Sequence, residues 1–188
     1  MKLHLVRHGE TQATGRLLGR TDAAPTPDGI AAARAHIART KPDLLLASPL
    51  RRAKAVIGDD AAVDPDWSEL DFGAWDGKQL DTLDAVSAGA FGRFLENPEN
   101  VTPPQGESWP QFRMRVARGI TTLLEAETEN ALVVTHAGAM RTALHIVCGW
   151  PFRATWAVRI DYATRLSLNV GHDDAGRIWG ELLEVAQP

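Results

Sequence analysis

The chain has 188 residues, a length that fits one sizeable hydrophobic core, and we expect a single domain over residues 1–188. Its composition is that of an ordinary globular protein, and its net charge of −4 gives no general attraction for nucleic acid or an anionic membrane. No apolar run has the length of a membrane span. Because Cys148 is the only cysteine, a disulfide framework and a cysteine-type zinc site are excluded, and we expect a soluble protein of a reducing cytoplasm.

Short apolar runs predict strands, and the segments between them carry helix or loop patterns. The predicted strands comprise residues 2–7, 43–47, 131–135, 156–160, 166–170 and 178–182. We expect the last two to form a hairpin across the turn at 173–176. Residues 9–26 and 58–77 show no period and are predicted to be irregular, the first of them as a functional loop.

Four helices are predicted from their start signals and apolar spacing. Thr-Pro at 26–27 and Ser-Pro at 48–49 each pair a capping residue with a proline at the first helical position. Residues 108–111 form a capping-box pattern that starts the longest helix, which we expect to end at Asn130, and the fourth helix follows Gly138. The alternation of strands and helices predicts a three-layer α/β/α sandwich with a mainly parallel sheet, phosphoglycerate-mutase-like in class.

Histidine and arginine side chains follow the ends of three predicted strands. Arg7 and His8 end the first strand, Arg51 and Arg52 open the helix after the second, and His136 follows the third. Since ligands of such sheets bind at the carboxyl ends of the strands, we expect these residues to converge on one edge.

A neutral imidazole among arginines suits phosphoryl transfer. The lone pair of His8 is a nucleophile toward phosphorus, and neighbouring arginines would lower the pKa of His8 while binding the phosphate oxygens bidentately. Positive charge around the transferred group also stabilises its transition state. A protonated His136 would donate to a phosphate oxygen.

The leaving oxygen needs a proton, which a carboxylic acid at the rim of the site would supply. Glu69 and Asp76 are the candidates, both in the irregular segment. Glu69 lies between Trp67 and Phe72, and partial burial there would favour the neutral acid form of a carboxyl group. Whether Asp76 or Glu107 assists Glu69 is left open.

Other interpretations compete with catalysis. Arg51, Arg52 and Lys54 are also compatible with a solvated helix face. His4 and His8 would lie about 13 Å apart on a strand, too far to share a metal ion. We expect structural or surface roles for His4, His36, His145 and His172. Most tryptophans are expected to serve packing, while Trp75 and Trp109 are candidates for lining a pocket.

Four segments together resemble the histidine phosphatase superfamily: RHGET at 7–11, SPLRRA at 48–53, SELDFGAWDG at 68–77 and THAG at 135–138. The resemblance implies a phosphohistidine intermediate on His8, a phosphate pocket of Arg7, Arg52 and His136, Glu69 as the proton donor, and no metal or other cofactor. The substrate-binding residues expected from it are Arg7, Thr14, Gly19, Arg52, His136 and Ala137. Thr14 departs from the asparagine that is usual in the family.

Within the superfamily, the segments at 67–77 and 104–116 resemble the branch of α-ribazole-5'-phosphate phosphatases and small phosphoglycerate-mutase-like enzymes. Glu107 and Ser108 stand where that branch has an element that borders the substrate. We therefore expect a metal-independent phosphatase of a small phosphomonoester. A phosphoglycerate mutase and a non-catalytic phospho-ligand-binding module are the alternatives. The substrate is left open, as is the choice between a monomer and a homodimer. Residues 9–26 and 78–107 are expected to form the specificity wall.

Overall fold

The computed structural model of the chain describes residues 1–58 and 61–188, and these contain five strands and six α-helices. The strands β1 to β5 span Lys2–Arg7, Leu44–Ala47, Asn130–Thr135, Arg165–His172 and Ile178–Ala186. The helices α1 to α6 span Pro27–Thr40, Arg51–Ile57, Leu80–Val86, Ala90–Glu96, Trp109–Glu125 and Ala137–Cys148. None of the described helices is long and apolar enough to cross a membrane.

The strands form one mixed sheet in the order β2-β3-β1-β4-β5. Strands β1, β2 and β3 run parallel, while β4 pairs antiparallel with β1 and β5 pairs antiparallel with β4. The predicted α/β class is confirmed, and so is the hairpin at the end of the chain. The three strands expected to deliver the reactive residues are the three parallel neighbours, so their carboxyl ends lie side by side.

Alternate side chains of the central strand enter two different cores. Leu3 and Leu5 of β1 pack into the larger core with apolar side chains of α5 and α6, whereas Val6 packs on the other face with Ala33 of α1 and Val56 of α2. Helices therefore cover both faces of the sheet, which gives the predicted three layers.

The predicted helix starts differ in outcome. The side chain of Thr26 accepts a hydrogen bond from the Gly29 amide, so this cap is confirmed. The box at 108–111 is confirmed too, since the Gln111 side chain accepts from the Ser108 amide. Ser48 does not cap α2, which begins at Arg51 with Leu50 before it.

The prediction of secondary structure is wrong at one helix end and at one strand, and it misses two helices. Helix α5 ends at Glu125, and Asn130 opens β3. The expected strand at 156–160 is replaced by a 3-10 helix over Phe152–Ala157, where the Thr155 hydroxyl donates to the Phe152 carbonyl. Helices α3 and α4 were not predicted. Residues 59 and 60 of the predicted irregular segment lie outside the described residues.

Candidate active site

Backbone hydrogen bonds join the three strand ends that carry the reactive residues. The His8 amide donates to the Thr135 carbonyl at 2.9 Å, and the Ser48 amide donates to the Val134 carbonyl at 2.9 Å. These bonds place His8 next to His136, with ring centroids 5.1 Å apart. The expected convergence at the carboxyl edge of the parallel strands is present.

The contacts of His8 fix which of its nitrogens is free to attack. The Gly9 carbonyl can only accept, so the Nδ1 atom, 2.7 Å away, carries the proton. The other nitrogen, Nε2, accepts from the Nε–H of Arg52 at 3.2 Å. Nε2 is therefore the unprotonated nitrogen, and its lone pair becomes available for attack on phosphorus once the hydrogen bond from Arg52 gives way to a phosphate group.

His8 is held neutral, and the main cause is burial. Its side chain is almost completely buried, which lowers its pKa well below the ordinary value of 6.5, and the charges of Arg52 and then Arg7 lower the pKa further. From the sequence, the neighbouring arginines were expected to be the cause of the lowered pKa of His8. The structure ranks burial above them.

Arg52 is a fully buried cation held by a loop. Its Nη atoms donate to the carbonyls of Leu18, Gly19 and Thr21 at 2.8–3.1 Å. The side chain is 0% exposed, so the solvated-face interpretation is wrong for Arg52, although it holds for the exposed Arg51. Three backbone carbonyls thus aim the guanidinium at His8.

Arg7 enters the site from the other side. One Nη1 hydrogen goes to the Ile160 carbonyl at 2.9 Å, and the guanidinium carbon lies 4.1 Å from the centre of the Tyr162 ring. The Nε–H of Arg7 is buried without an acceptor among the described residues. A phosphate oxygen would satisfy such a donor.

His136 is neutral too, which corrects its expected role. Burial lowers its pKa well below 6.5, followed by the charges of Arg52 and His8. The Ser48 hydroxyl accepts from the Leu50 amide and lies 2.8 Å from His136 Nε2, to which it donates in the tautomer that carries the imidazole proton on Nδ1. The proton of the imidazole then sits on Nδ1, which is buried without a described partner. A neutral His136 can therefore donate from Nδ1, and protonation is not required.

Glu69 lies in the segment between β2 and β3 and lines the same cavity as His8 and Arg7. Its side chain is 7% exposed, and its two oxygens accept from the amides of Leu70 and Gly138, each at 2.9 Å. A Cβ on Gly138 would lie 2.2 Å from Glu69 Oε1, so a larger residue there would displace the Glu69 carboxylate from its present position. The glycine of THAG thus admits the carboxylate.

Arg115 of α5 anchors the segment that carries Glu69, and no pattern in the sequence indicated this role. The guanidinium donates to the carbonyls of Asp66, Ser68 and Glu69 at 2.7–2.9 Å. Glu107 pairs with Arg115 at 2.7 Å. Glu107 was expected at the border of the substrate. Glu107 does not line the cavity beside His8; its carboxylate holds Arg115 instead.

Asp76 organises the loop that surrounds Arg52. Its carboxylate accepts from the amides of Gly19, Arg20 and Thr21 at 2.5–3.1 Å. A Cβ on Gly19 would lie 2.4 Å from the Leu70 carbonyl, so the loop passes close to the acid segment. All three contacts of Asp76 are structural, which leaves Glu69 as the carboxylate that lines the cavity.

The remaining predicted binding residues lie in different places. Ala137 lines the cavity, whereas the exposed Thr14 hydroxyl donates to the Thr11 carbonyl and does not reach the lining. Trp109 lines the cavity, and Trp75 instead packs against Phe91 and Phe94. The substrate-binding role of Thr14 stays a prediction.

The other histidines make structural contacts. His4 bonds the Ser167 hydroxyl, His36 the Ala163 carbonyl and His145 the Trp150 carbonyl. Within residues 1–58 and 61–188, no group of three or more His, Cys, Asp or Glu side chains could hold a metal ion.

A cavity of about 430 Å³ opens beside His8, Arg7 and Glu69. Its walls come from residues 16–18, 70–72, 80–95, 109–112 and 152–162. The first and third of these segments lie in the ranges that the sequence indicated for specificity. Residues 152–162 and Arg141 of α6 were not expected to line it.

The fold and this constellation define the class of protein: an α/β enzyme that transfers a phosphoryl group through a buried histidine. A model of the histidine phosphatase superfamily (branch 1) matches residues 3–178, and the chain belongs to this superfamily.

Individual relatives agree with this assignment. The adenosylcobalamin/alpha-ribazole phosphatase of Escherichia coli (strain K12) is 31% identical over 174 residues, which cover 86% of each chain. A protein of Erwinia tasmaniensis named "Probable phosphoglycerate mutase GpmB" is 29% identical over 85% of this chain and 80% of its own. The solved structure of the alpha-ribazole phosphatase from Shigella flexneri matches with a TM-score of 0.78 at 28% identity, covering 97% of this chain and 96% of that one.

Proposed function

We propose that the protein is a metal-independent phosphatase that hydrolyses a small phosphomonoester through a phosphohistidine on His8. The observation that carries the proposal is the buried, neutral His8, whose Nε2 lone pair points at the guanidinium of Arg52. A phosphate group that displaces this hydrogen bond would meet the nucleophile Nε2 with the cation of Arg52 beside it.

In the first step, Nε2 of His8 attacks phosphorus, and the bond from phosphorus to the ester oxygen breaks. Arg7 and Arg52 bind the phosphoryl oxygens, and Nδ1–H of His136 donates to one of them. Glu69 in its acid form gives a proton to the leaving alcohol oxygen. The product is a free alcohol and a phosphorylated His8.

In the second step, water attacks phosphorus and the bond to Nε2 breaks. Glu69, now a carboxylate, takes a proton from that water, so phosphate leaves and the enzyme returns to its starting state. Gly138 and Arg115 keep Glu69 at the same place for both steps, through its side chain and its backbone.

The class of substrate is a small-molecule phosphomonoester, and α-ribazole-5'-phosphate is one candidate. Support comes from the relatives named above, two of which are alpha-ribazole phosphatases. A phosphoglycerate mutase is the second candidate, supported by the Erwinia relative. Net conversion of 3- to 2-phosphoglycerate that exceeds release of phosphate would favour the mutase. We also propose that the enzyme works in a reducing cytoplasm, in keeping with its single cysteine.

The proposal is tested by release of phosphate from a panel of phosphomonoesters, with and without a chelator. We expect turnover with chelator present, and a fall of at least about 1,000-fold in His8→Ala, since the nucleophile is removed. His172→Ala, which removes an exposed histidine beside the last turn, is the matched control. Equal rates for His8→Ala and the wild type would rule out the mechanism, and loss of turnover with the chelator would rule out metal independence.

A further inference from the structure

The cavity beside His8 holds most of the aromatic side chains of the chain. All five phenylalanines and the only tyrosine line it, together with Trp109 and Trp156. The phenylalanines are Phe72, Phe91, Phe94, Phe112 and Phe152. They come from segments far apart in the sequence, so no single helix or strand pattern accounts for their meeting at one place.

These rings do not fill the space between them. Protein interiors pack as densely as organic crystals and leave few voids larger than a water molecule. A volume of about 430 Å³ is instead in the range of pockets that bind small molecules. His8, Arg7 and Glu69 belong to its lining, so the cavity adjoins the position of the transferred phosphate and has room for the group attached to it.

The charged residues of the lining that take no part in the reaction are two arginines, Arg141 and Arg16, and each uses only its Nη1 atom in hydrogen bonds among the described residues. Arg141 donates from Nη1 to the carbonyls of Thr155 and Val158, and its guanidinium carbon lies 4.0 Å from the centre of a Trp156 ring. Arg16 donates to the Gly77 carbonyl and is exposed. An ammonium group on the substrate would therefore lose its water against aromatic walls and cations, which is unfavourable.

We propose that this aromatic cavity binds the alcohol portion of the substrate, and that the alcohol carries an apolar ring. Offset and edge-to-face contacts with the phenylalanine and tryptophan rings would hold such a ring. The inference rests on the proposed phosphatase function, because it concerns the leaving group of that same reaction.

The test compares 3-phenylpropyl phosphate with n-propyl phosphate. Both release a primary alkyl alcohol of nearly equal acidity, so a difference in kcat/KM reports binding of the ring and not the chemistry of the broken bond. Burial of the phenyl group predicts a ratio of about 10 to 100 in favour of the phenylpropyl ester. Phosphoserine and 3-phosphoglycerate, whose leaving groups have no ring, are expected to be slower than the phenylpropyl ester.

Two exposed tryptophans provide a matched pair of variants. Trp156 lines the cavity and is 47% exposed, whereas Trp179 lies on β5 and is 55% exposed. Trp156→Ala is expected to lower the ratio of the two kcat/KM values by about fivefold, since part of the wall is lost. Trp179→Ala should leave the ratio unchanged.

The outcomes separate this inference from the proposed function. Equal kcat/KM values for 3-phenylpropyl phosphate and n-propyl phosphate would overturn the aromatic-alcohol assignment. A preference for 3-phosphoglycerate or phosphoserine would overturn it too. Neither result would contradict the proposed phosphatase function. An unchanged ratio in Trp156→Ala would also overturn the assignment. Failure to hydrolyse any of the four esters would overturn the phosphatase function, and this inference with it.

Discussion

At the scale of single residues, the activity depends on keeping two adjacent imidazoles uncharged. His8 and His136 are buried beside Arg52, and burial is the largest cause of the lowered pKa of each. A neutral His8 keeps its lone pair for attack, and a neutral His136 still has one N–H to donate. The hydrogen bond of His8 Nδ1 to the Gly9 carbonyl selects the tautomer of His8, and the Ser48 hydroxyl bonds Nε2 of His136.

The tautomer and charge of His8 are open to direct measurement. Nitrogen-15 NMR of histidine-labelled protein should show His8 neutral at pH 5.5, with the proton on Nδ1, because burial disfavours the cation and Gly9 accepts the Nδ1–H. A histidine with the ordinary pKa of 6.5 would be about nine-tenths protonated at that pH. Titration of His8 near pH 6.5, or a proton on Nε2, would contradict this description.

Sequence reasoning succeeded where position along a strand determines position in space. His8, Arg52 and His136 each follow a parallel strand, so their meeting could be foreseen without any contact being known. Arg115 could not be foreseen, because it lies in the middle of a helix and reaches backbone carbonyls of a segment about 47 residues earlier. Nor could Tyr162, whose contact with Arg7 depends on tertiary packing.

At the scale of elements, the loop at 18–21 holds the side chain of Arg52 in place. Arg52 donates to the carbonyls of the loop, and Asp76 accepts from its amides. The loop is thereby held from both sides, and its position sets that of the guanidinium. This explains why residues without a periodic pattern form a well-defined part of the site.

The separate roles of the two carboxylates can be distinguished by isosteric variants. Asp76→Asn keeps one oxygen acceptor for the loop amides, so we expect at least about a tenth of the wild-type kcat to remain. Glu69→Gln removes the proton donor, and we expect a fall in kcat of about 100-fold or more for an ester of an alkyl alcohol. If the two variants reversed this order, Asp76 would be the acid and Glu69 the structural group.

Elements that were missed or misassigned have short or ambiguous patterns. Helices α3 and α4 have seven residues each, too few for a clear period of 3.6. Residues 156–160 alternate as a strand would, but Arg141 takes the carbonyls of Thr155 and Val158, which a strand would need for pairing. Tertiary contacts therefore override the local pattern there.

At the scale of the whole molecule, the buried histidines link stability to pH. The folded pKa values of His8 and His136 are lowered below the ordinary 6.5, so between pH 6.5 and those lower values the unfolded chain binds more protons. The contribution of these two histidines to the free energy of unfolding is fully present above pH 6.5 and is lost as pH falls through their folded pKa values. Each such histidine costs up to about 1.4 kcal/mol per pH unit in that window.

Denaturant unfolding at pH 7.5 and 5.5 checks this expectation. We expect the free energy of unfolding to be lower at pH 5.5, and the difference to shrink in a His8→Asn variant, which has one buried imidazole fewer. His172→Gln, at an exposed site, should keep the full difference. Equal unfolding free energies at the two pH values would mean that the buried histidines are protonated in the folded protein.

Different parts of the fold around the mixed sheet carry the reaction centre and the cavity. Its parallel strands supply the reaction centre, and the covering segments from α3 to α5 and from 152 to 162 supply the cavity that we propose for the leaving group. The chemistry is thus encoded in motifs at strand ends, and the choice of substrate in rings that meet only after folding.

The most direct test of the account is a rapid-quench experiment with a phosphomonoester labelled with phosphorus-32. Protein trapped during turnover should carry the label in an acid-labile, base-stable linkage that maps to His8 and is absent from His8→Ala. Label that is stable to acid, that maps to another residue, or that never forms while phosphate is released would contradict nucleophilic attack by His8.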